Sequence, residues 1–576
     1  MRLIEALSLL RTAGPTDPPF PVALICGFTP QPLLTFLAAH LQSRLPGRRV
    51  EVGEGRFGDL TGNLERYRRE PCGSAAVVVE WADLDSRLGW RQHGGWGRAR
   101  VTDICAVVEH RFNAIETLLA GASGSGIVAV ALPSLPAAPV EPVPGWQYGE
   151  LQSRLDALAA SFAARLSSSA HIRLVNPSRL AQLSPRHQRL DVKTLNQAGF
   201  PYRLPHTDVL AGLLAQLLQP PAPLKGIITD LDDTLWAGIL GEVGVSGVAW
   251  DLDHHAAQHG AYQQMLQSLA DSGVLVAVAS KNDPGLVRSA LERPDMLLRA
   301  DSVFPIEAHW SPKSESVSRI LRAWNVAADS VVFIDDSAME LAEVHNAHPT
   351  MQCRRFLEDP NQVAELVSEL GDLFGKPFDS EEDSLRLKSL RAAAELHSGN
   401  GGVESLQQVL ASADGVLTIV PLRDPPDPRA LELVNKTNQF NLNGRRFNEA
   451  EWMQYLRSPD HWVWLASYSD RFGPLGKISV LAGRFTADRE LDLDTWVLSC
   501  RAFGRRIEYA MLDALFERHA ARRIHMRFQA TERNSPIQEL LSGLTGAAPE
   551  AGSALDAADF AQRKLPWYMR VEYPYG

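Results

Sequence analysis

Short apolar runs without polar alternation recur along the first 220 residues (VALIC, AAVVVE, GIVAVAL, HIRLVN), separated by stretches of helical period such as LLTFLAAHLQSRL and LQSRLDALAASFAARL. Such runs suit strands covered on both faces, and intervening helices make their pairing parallel. Residues 1–220 are therefore expected to form an α/β domain, with the Pro-rich LPSLPAAPVEPVPG as a loop inside it. The same grammar returns over 221–376, on KGIITDLD, GVLVAVAS and SVVFIDD. Residues 377–414 are charged and helical, then Gly-rich, which predicts a helical connector. From 415 to 576, GVLTIVPL, HWVWLASY and LDLDTWVLS precede the helical RIEYAMLDALFERHA, so an α+β domain is expected.

A chain of 576 residues exceeds what one core organises, in keeping with three domains. Its 57 Lys and Arg face 68 Asp and Glu, and without long basic runs this balance argues against nucleic acid as a partner. Five scattered cysteines (Cys26, Cys72, Cys105, Cys353, Cys500) form no CxxC pair, as expected in a reducing compartment without structural disulfides or zinc. The start, MRLIEALSLLRTAG, has charges breaking its apolar residues and reads as an amphipathic helix rather than a signal peptide. No uncharged apolar stretch reaches the ~18 residues of a membrane span. The expectation is a soluble cytoplasmic protein with no membrane partner.

Candidate chemistry concentrates in KGIITDLDDTLW. Asp230 and Asp232 stand two residues apart at a strand end, where period-two geometry turns both carboxylates to one side of the sheet's carboxyl edge. Phosphoryl transfer needs one carboxylate to attack phosphorus and another to protonate the leaving oxygen, with a divalent cation screening their repulsion from the phosphate. Ser280, ending GVLVAVAS, offers a hydroxyl to a phosphoryl oxygen, and Lys313 in HWSPK a neutralising point charge. Asp335 and Asp336, ending SVVFIDD, offer hard oxygen ligands to magnesium. Singly, each has a plain structural reading as a cap, a solvated lysine or a turn residue. Their joint occurrence in this order does not.

These four segments resemble the motifs of the haloacid dehalogenase (HAD) superfamily. DLDDTLWAGILGEVG, ASKND, HWSPKSESV and FIDDSAMELAEV are similar to one branch of it, the FkbH-like proteins, as are KTNQFNLNGRRF, DRFGPLGK, LSCRAFGRRIE and TERNSP further on. The likeness spans about residues 225–546 and departs from the pattern in lacking Asn-Pro after the paired aspartates. It implies a HAD-type Rossmannoid parallel sheet in the centre. It also implies transfer of a glyceryl group from D-1,3-bisphosphoglycerate, through a thioester, to the phosphopantetheine thiol of an acyl carrier protein, with removal of phosphate, for polyketide-type metabolism. On that resemblance Asp230 is nucleophile and metal ligand, Asp232 acid/base and main-chain metal ligand, and Asp335 a metal ligand with Asp336 as a further candidate beside it. Thr234, Ser280 and Lys313 are then phosphate contacts.

A thioester needs a thiol, and Cys500 follows a strand and precedes Arg501, Gly504 and Arg505, whose N–H groups and guanidiniums would favour thiolate. RAFGRR resembles the RxxGxG/A turn by which GNAT-type acetyltransferases hold a pantetheine pyrophosphate, with Arg506 where a small residue is usual. A GNAT-like C-terminal domain is the implied fold. The plain alternative for Cys500 is a small buried hydrophobe. Asn438, Gln439, Asn441, Thr531 and Asn534 either orient a glyceryl oxygen or serve turns.

The first domain's layout resembles an SGNH-hydrolase-like fold, but Thr29 stands where its serine belongs and only His206 matches its triad, so a non-hydrolytic scaffold or docking platform is expected. His255 and His259, four apart, have no third metal ligand and are read as lying on an exposed polar helix. FGPLGK has Arg471 where a P-loop needs its first glycine. The basic ARRIHMR, with Arg445 and Arg446, is solvated surface or a docking site for an acidic carrier. Two other functions stay open: a magnesium-dependent phosphomonoesterase whose C-terminal domain selects substrate, and a carrier-binding scaffold without catalysis.

Overall fold

The computed structural model describes all residues except 12–13, 15–16, 71–72, 122–125, 170, 222–223, 377–409, 424–426, 472, 487–488, 500–501, 532–533 and 575–576. The expected connector lies almost wholly outside the described residues. The chain divides into two compact units, Met1–Pro221 with Asn448–Trp452, and Ala222–Phe447 with Met453–Gly576. That Asn448–Trp452 belongs with the first unit was not foreseen from the sequence, because five residues far along the chain carry no mark of it.

In the first unit the strands β1 (Pro19–Ile25), β2 (Arg49–Glu54), β3 (Ser74–Val78), β4 (Val128–Ala131) and β5 (Ile172–Leu174) form a parallel sheet in the order β2-β1-β3-β4-β5. One face packs against the helices Leu60–Arg69, Val101–Ala120 and Glu150–Leu166, and the other against Gln31–Arg44 and Leu204–Leu218.

The second unit holds two sheets. The first comprises β6 (Gly226–Thr229), β7 (Leu275–Ser280), β8 (Val303–Ala308), β9 (Val331–Asp335) and β10 (Gln352–Arg355), all parallel, in the order β10-β9-β6-β7-β8. Every residue of β6, β7 and β9 is buried, which is why their sequences show no polar alternation. β8 and β10 are edge strands and only partly buried, and β8 accommodates Pro305, which has no N–H for a central ladder. The chain runs outward from β6 through β7 to β8, then returns to the other side of β6 to build β9 and β10. The reversal opens a crevice at the carboxyl ends of β6 and β9, the place where open α/β sheets receive ligands.

The other sheet is mixed: β11 (Gly415–Pro421), β12 (His461–Asp470), β13 (Gly473–Phe485), β14 (Glu490–Leu498), β15 (Arg523–Met526), β16 (Ala554–Asp556) and β17 (Met569–Glu572), ordered β16-β15-β14-β13-β12-β11-β17. Its central pairs are antiparallel, while β14 with β15 and β11 with β17 are parallel. The helix Ile507–His519 covers it with Met511, Leu512 and Leu515. Among the described residues, no helix is long and apolar enough to cross a membrane.

Candidate active site

Strand register brings the acidic residues together. Thr229 pairs with Ile334 on one side and Val278 on the other, so the next residue of β6, Asp230, falls beside Asp335 at the end of β9. The Asp230 N–H donates to Ile334 O at 2.9 Å, extending the ladder by one step. One carboxylate oxygen from each of Asp230, Asp335 and Asp336 lies within 4.8 Å of the others.

Lys313 is the first residue of the helix Lys313–Trp324 and only 4% exposed. Its Nζ donates to Asp230 Oδ2 at 2.8 Å and to Asp335 Oδ2 at 2.5 Å. Asp230 Oδ1 is buried and meets no hydrogen-bond partner among the described residues. Burial pushes the Asp230 carboxyl up to about 6; the Lys313 charge opposes this and the Asp335 charge adds to it. Asp335 and Asp336 are raised for the same first reason, burial. Burial works against the Lys313 ammonium, but the two aspartates outweigh it and hold its proton more tightly than usual. Three carboxylates against one ammonium leave a net charge that a divalent cation would neutralise.

Asp232 lies outside that carboxylate group. Its Oδ1 accepts from Trp236 Nε1 at 3.0 Å and from the Leu240 N–H at 3.1 Å, and its Oδ2 accepts from Asn282 Nδ2 at 3.0 Å. Asp233, at φ 50°, turns the chain here and accepts the Gly238 N–H at 2.8 Å. The Thr234 hydroxyl accepts the Asp336 N–H at 3.2 Å, so it braces the loop after β9. The buried Ser280 Oγ accepts from Asn282 Nδ2 at 3.1 Å. Trp236 and Asn282 were not singled out in the sequence. The available signal was Asp283-Pro284, a helix start at which Asp283 caps the Gly285 and Leu286 N–H groups and so fixes the turn holding Asn282.

Cys500 and Arg501 lie outside the described residues. Gly504 adopts φ 79°, a left-handed turn that favours glycine. Arg505 is buried, and its Nε donates to Asp470 Oδ2 at 2.8 Å. Asn441 accepts the Asn443 and Gly444 N–H groups, and Asn534 donates to the Asn441 and Gln529 carbonyls, so both hold turns. Asn438 accepts from Arg446 at 2.6 Å.

The histidine pair departs from expectation. His255 precedes the helix Ala257–Asp271, whereas His259 is fully buried on it, against Phe356 at 5.1 Å. Its Nδ1 faces the Thr234 carbonyl at 2.9 Å; a carbonyl only accepts, so Nδ1 carries the proton. The exposed-helix reading failed because His259 follows the apolar stripe that seats this helix on the sheet.

In the first unit His206 is buried between two serines, Ser184 Oγ at 2.9 Å from Nδ1 and Ser134 Oγ at 3.2 Å from Nε2. Ser134 donates its proton to Glu80 at 2.7 Å, so its oxygen receives the Nε2 proton and Nδ1 accepts from Ser184. At Ser134 that polarity is the reverse of a serine activated by a basic histidine. Thr29 Oγ1 donates to the Ala198 carbonyl at 2.7 Å.

No family model and no curated protein matches the chain. Among solved structures it resembles the N-terminal part of the protein BF1531 from Bacteroides fragilis, which contains a phosphatase domain complexed with Mg, at 19% identity and TM-score 0.49, over 66% of this chain and 100% of that one. It also resembles an uncharacterized protein from Corynebacterium glutamicum (21% identity, TM-score 0.19, 27% of this chain and 98% of that one). A third is the cobalt-bound deoxy-D-mannose-octulosonate 8-phosphate phosphatase from Haemophilus influenzae (18% identity, TM-score 0.20, 28% and 94%). None is near enough to carry a function across.

Proposed function

We propose that the parallel sheet of the second unit carries a magnesium-dependent phosphatase centre of the HAD type, with Asp230 as nucleophile and Asp232 as acid/base group. The observation behind it is the division of Asp230: Oδ2 is held by Lys313 at 2.8 Å while Oδ1 is buried without a partner. Oδ1 attacks phosphorus, the bond to the leaving oxygen breaks, and that oxygen takes a proton from Asp232. Water then adds to the phosphoaspartate, gives its proton to Asp232, and releases phosphate and the free Asp230 carboxylate. Lys313 keeps the nucleophile oriented, and Ser280 presents its O–H to a phosphoryl oxygen. The carboxylates of Asp230, Asp335 and Asp336 would hold magnesium, which when bound neutralises charge on the phosphate oxygens. The test is phosphate release from small phosphomonoesters by the full chain with magnesium. Loss of that release in Asp230→Asn supports the assignment, and equal release by this variant overturns it.

With the FkbH-like segments added, we further propose that this centre serves glyceryl transfer from D-1,3-bisphosphoglycerate, through a Cys500 thioester, to the phosphopantetheine thiol of an acyl carrier protein. Intact-protein mass spectrometry of the carrier reads this directly as a gain of one glyceryl group. Cys500→Ala should stop the gain and spare phosphate release at Asp230; no gain with active protein and a cognate carrier defeats the proposal. One observation favours the simpler phosphomonoesterase, namely that the Arg505 guanidinium is buried on Asp470. Steady phosphate release that no carrier accelerates would support that reading.

A further inference from the structure

Asn282 makes two contacts with its one amide nitrogen, to Asp232 Oδ2 at 3.0 Å and to Ser280 Oγ at 3.1 Å. The side chain is 3% exposed, so neither contact competes freely with water. An amide nitrogen only donates, so Nδ2 gives one N–H to Asp232 Oδ2 and the other to Ser280 Oγ. Both amide hydrogens are then committed, one to the acid/base carboxylate and one to the serine oxygen. Receiving that hydrogen leaves the Ser280 proton to point elsewhere, toward a phosphoryl oxygen. The other Asp232 oxygen, Oδ1, is already occupied by Trp236 and the Leu240 N–H, so Oδ2 is the oxygen with capacity to carry a proton.

We propose that Asn282 is a positioning residue that aims Asp232 Oδ2 at the leaving oxygen and, with the same amide, sets the direction of the Ser280 hydroxyl. This rests on the phosphatase reading above. In the step concerned, the Asp230 Oδ1–phosphorus bond forms, the phosphorus–oxygen bond to the leaving group breaks, and the leaving oxygen takes its proton from Asp232 Oδ2. The Asp283 cap and the start of the helix Pro284–Leu291 hold the Asn282 backbone in place, so the amide acts from a rigid base.

The consequence is selective. A leaving group that departs as a stable anion needs little proton donation, whereas a basic one needs it fully. The experiment compares kcat/KM for 4-nitrophenyl phosphate and phenyl phosphate, using the full chain with magnesium, wild type against Asn282→Ala. The expected result is a loss of about a hundredfold with phenyl phosphate, within the usual range for acid–base catalysis, and a loss at least tenfold smaller with 4-nitrophenyl phosphate. Asn282→Ser, which keeps one O–H donor, should recover part of the phenyl phosphate rate. Equal losses on both esters would show a merely structural role and overturn the proposal. If Asn282→Ala does not fold by circular dichroism, the Asn282→Ser to wild-type ratio on the two esters decides in the same way. If wild type releases phosphate from neither ester while Asp230→Asn is equally inert, the phosphatase reading itself fails and this inference with it.

Discussion

The Lys313 ammonium lies 2.8 Å from Asp230 Oδ2, and the same ammonium reaches Asp335 at 2.5 Å, so one lysine ties the ends of two neighbouring strands. Removing one member of a buried ion group leaves uncompensated charge and typically costs about 3–5 kcal/mol. Lys313→Met should therefore abolish phosphate release and lower the melting temperature without magnesium. Thermal melting with and without magnesium checks this: the cation should recover more of the melting temperature in the variant than it adds to wild type.

Magnesium should stabilise the native chain through the three-carboxylate group. At a concentration one hundred times its dissociation constant, a ligand bound only by the native state adds about 2.7 kcal/mol. Asp336→Asn should weaken this response and Asp335→Asn should remove most of it, as read by differential scanning calorimetry across a magnesium titration. An unchanged response in both variants would count against the site.

His206 supplies a pH dependence. Burial first, and the Arg189 charge second, push its imidazole down to about 3. The native form stays neutral while the unfolded form takes up a proton near ~6.5, so the contribution to stability is full above that pH and is lost as pH falls toward the native value. Glu80, raised by burial, opposes the trend because its native form binds a proton before its unfolded form does. His206→Asn should flatten the stability slope between about pH 6.5 and 5 by up to ~1.4 kcal/mol per pH unit. Hydrogen-exchange protection of peptides from Leu204–Leu218 in urea, measured across that range, checks it.

Arg505 is the residue for which two roles predict opposite outcomes. As a buried partner of Asp470 it should, when changed to Met, cost several kcal/mol of stability, and Arg505→Met should lower the melting temperature of the second unit. As an anion contact it would instead lower carrier loading at an unchanged melting temperature. Calorimetry beside carrier mass measurements separates them.

The parallel sheets were legible because their strands are uniformly apolar: IIT, VLVAVAS and VVFI sit between two layers and leave no ambiguity of face. Asp230, Asp335 and Lys313 were legible for a related reason, as charged residues that directly follow such runs or the loop after one. The partners of Asp232 were not. Trp236 and Asn282 reach it by turns whose paths depend on Asp233 at positive φ and on the Asp283 cap, and no periodicity reports a turn's path. Likewise Arg505 read as a cation serving the Cys500 thiolate or an anion, since its partner Asp470 ends a strand 35 positions earlier in the sequence.

Asp230 and Asp335 come directly after Thr229 and Ile334, which pair across neighbouring strands, and the spacing of those strands is the about 4.8 Å common to every sheet. The gauge between the backbones that carry these two carboxylates is thus set by peptide geometry. Drift in the loops beyond the strand ends can change which molecule enters while leaving that gauge untouched, so substrate choice and reaction chemistry are free to evolve on separate parts of the chain.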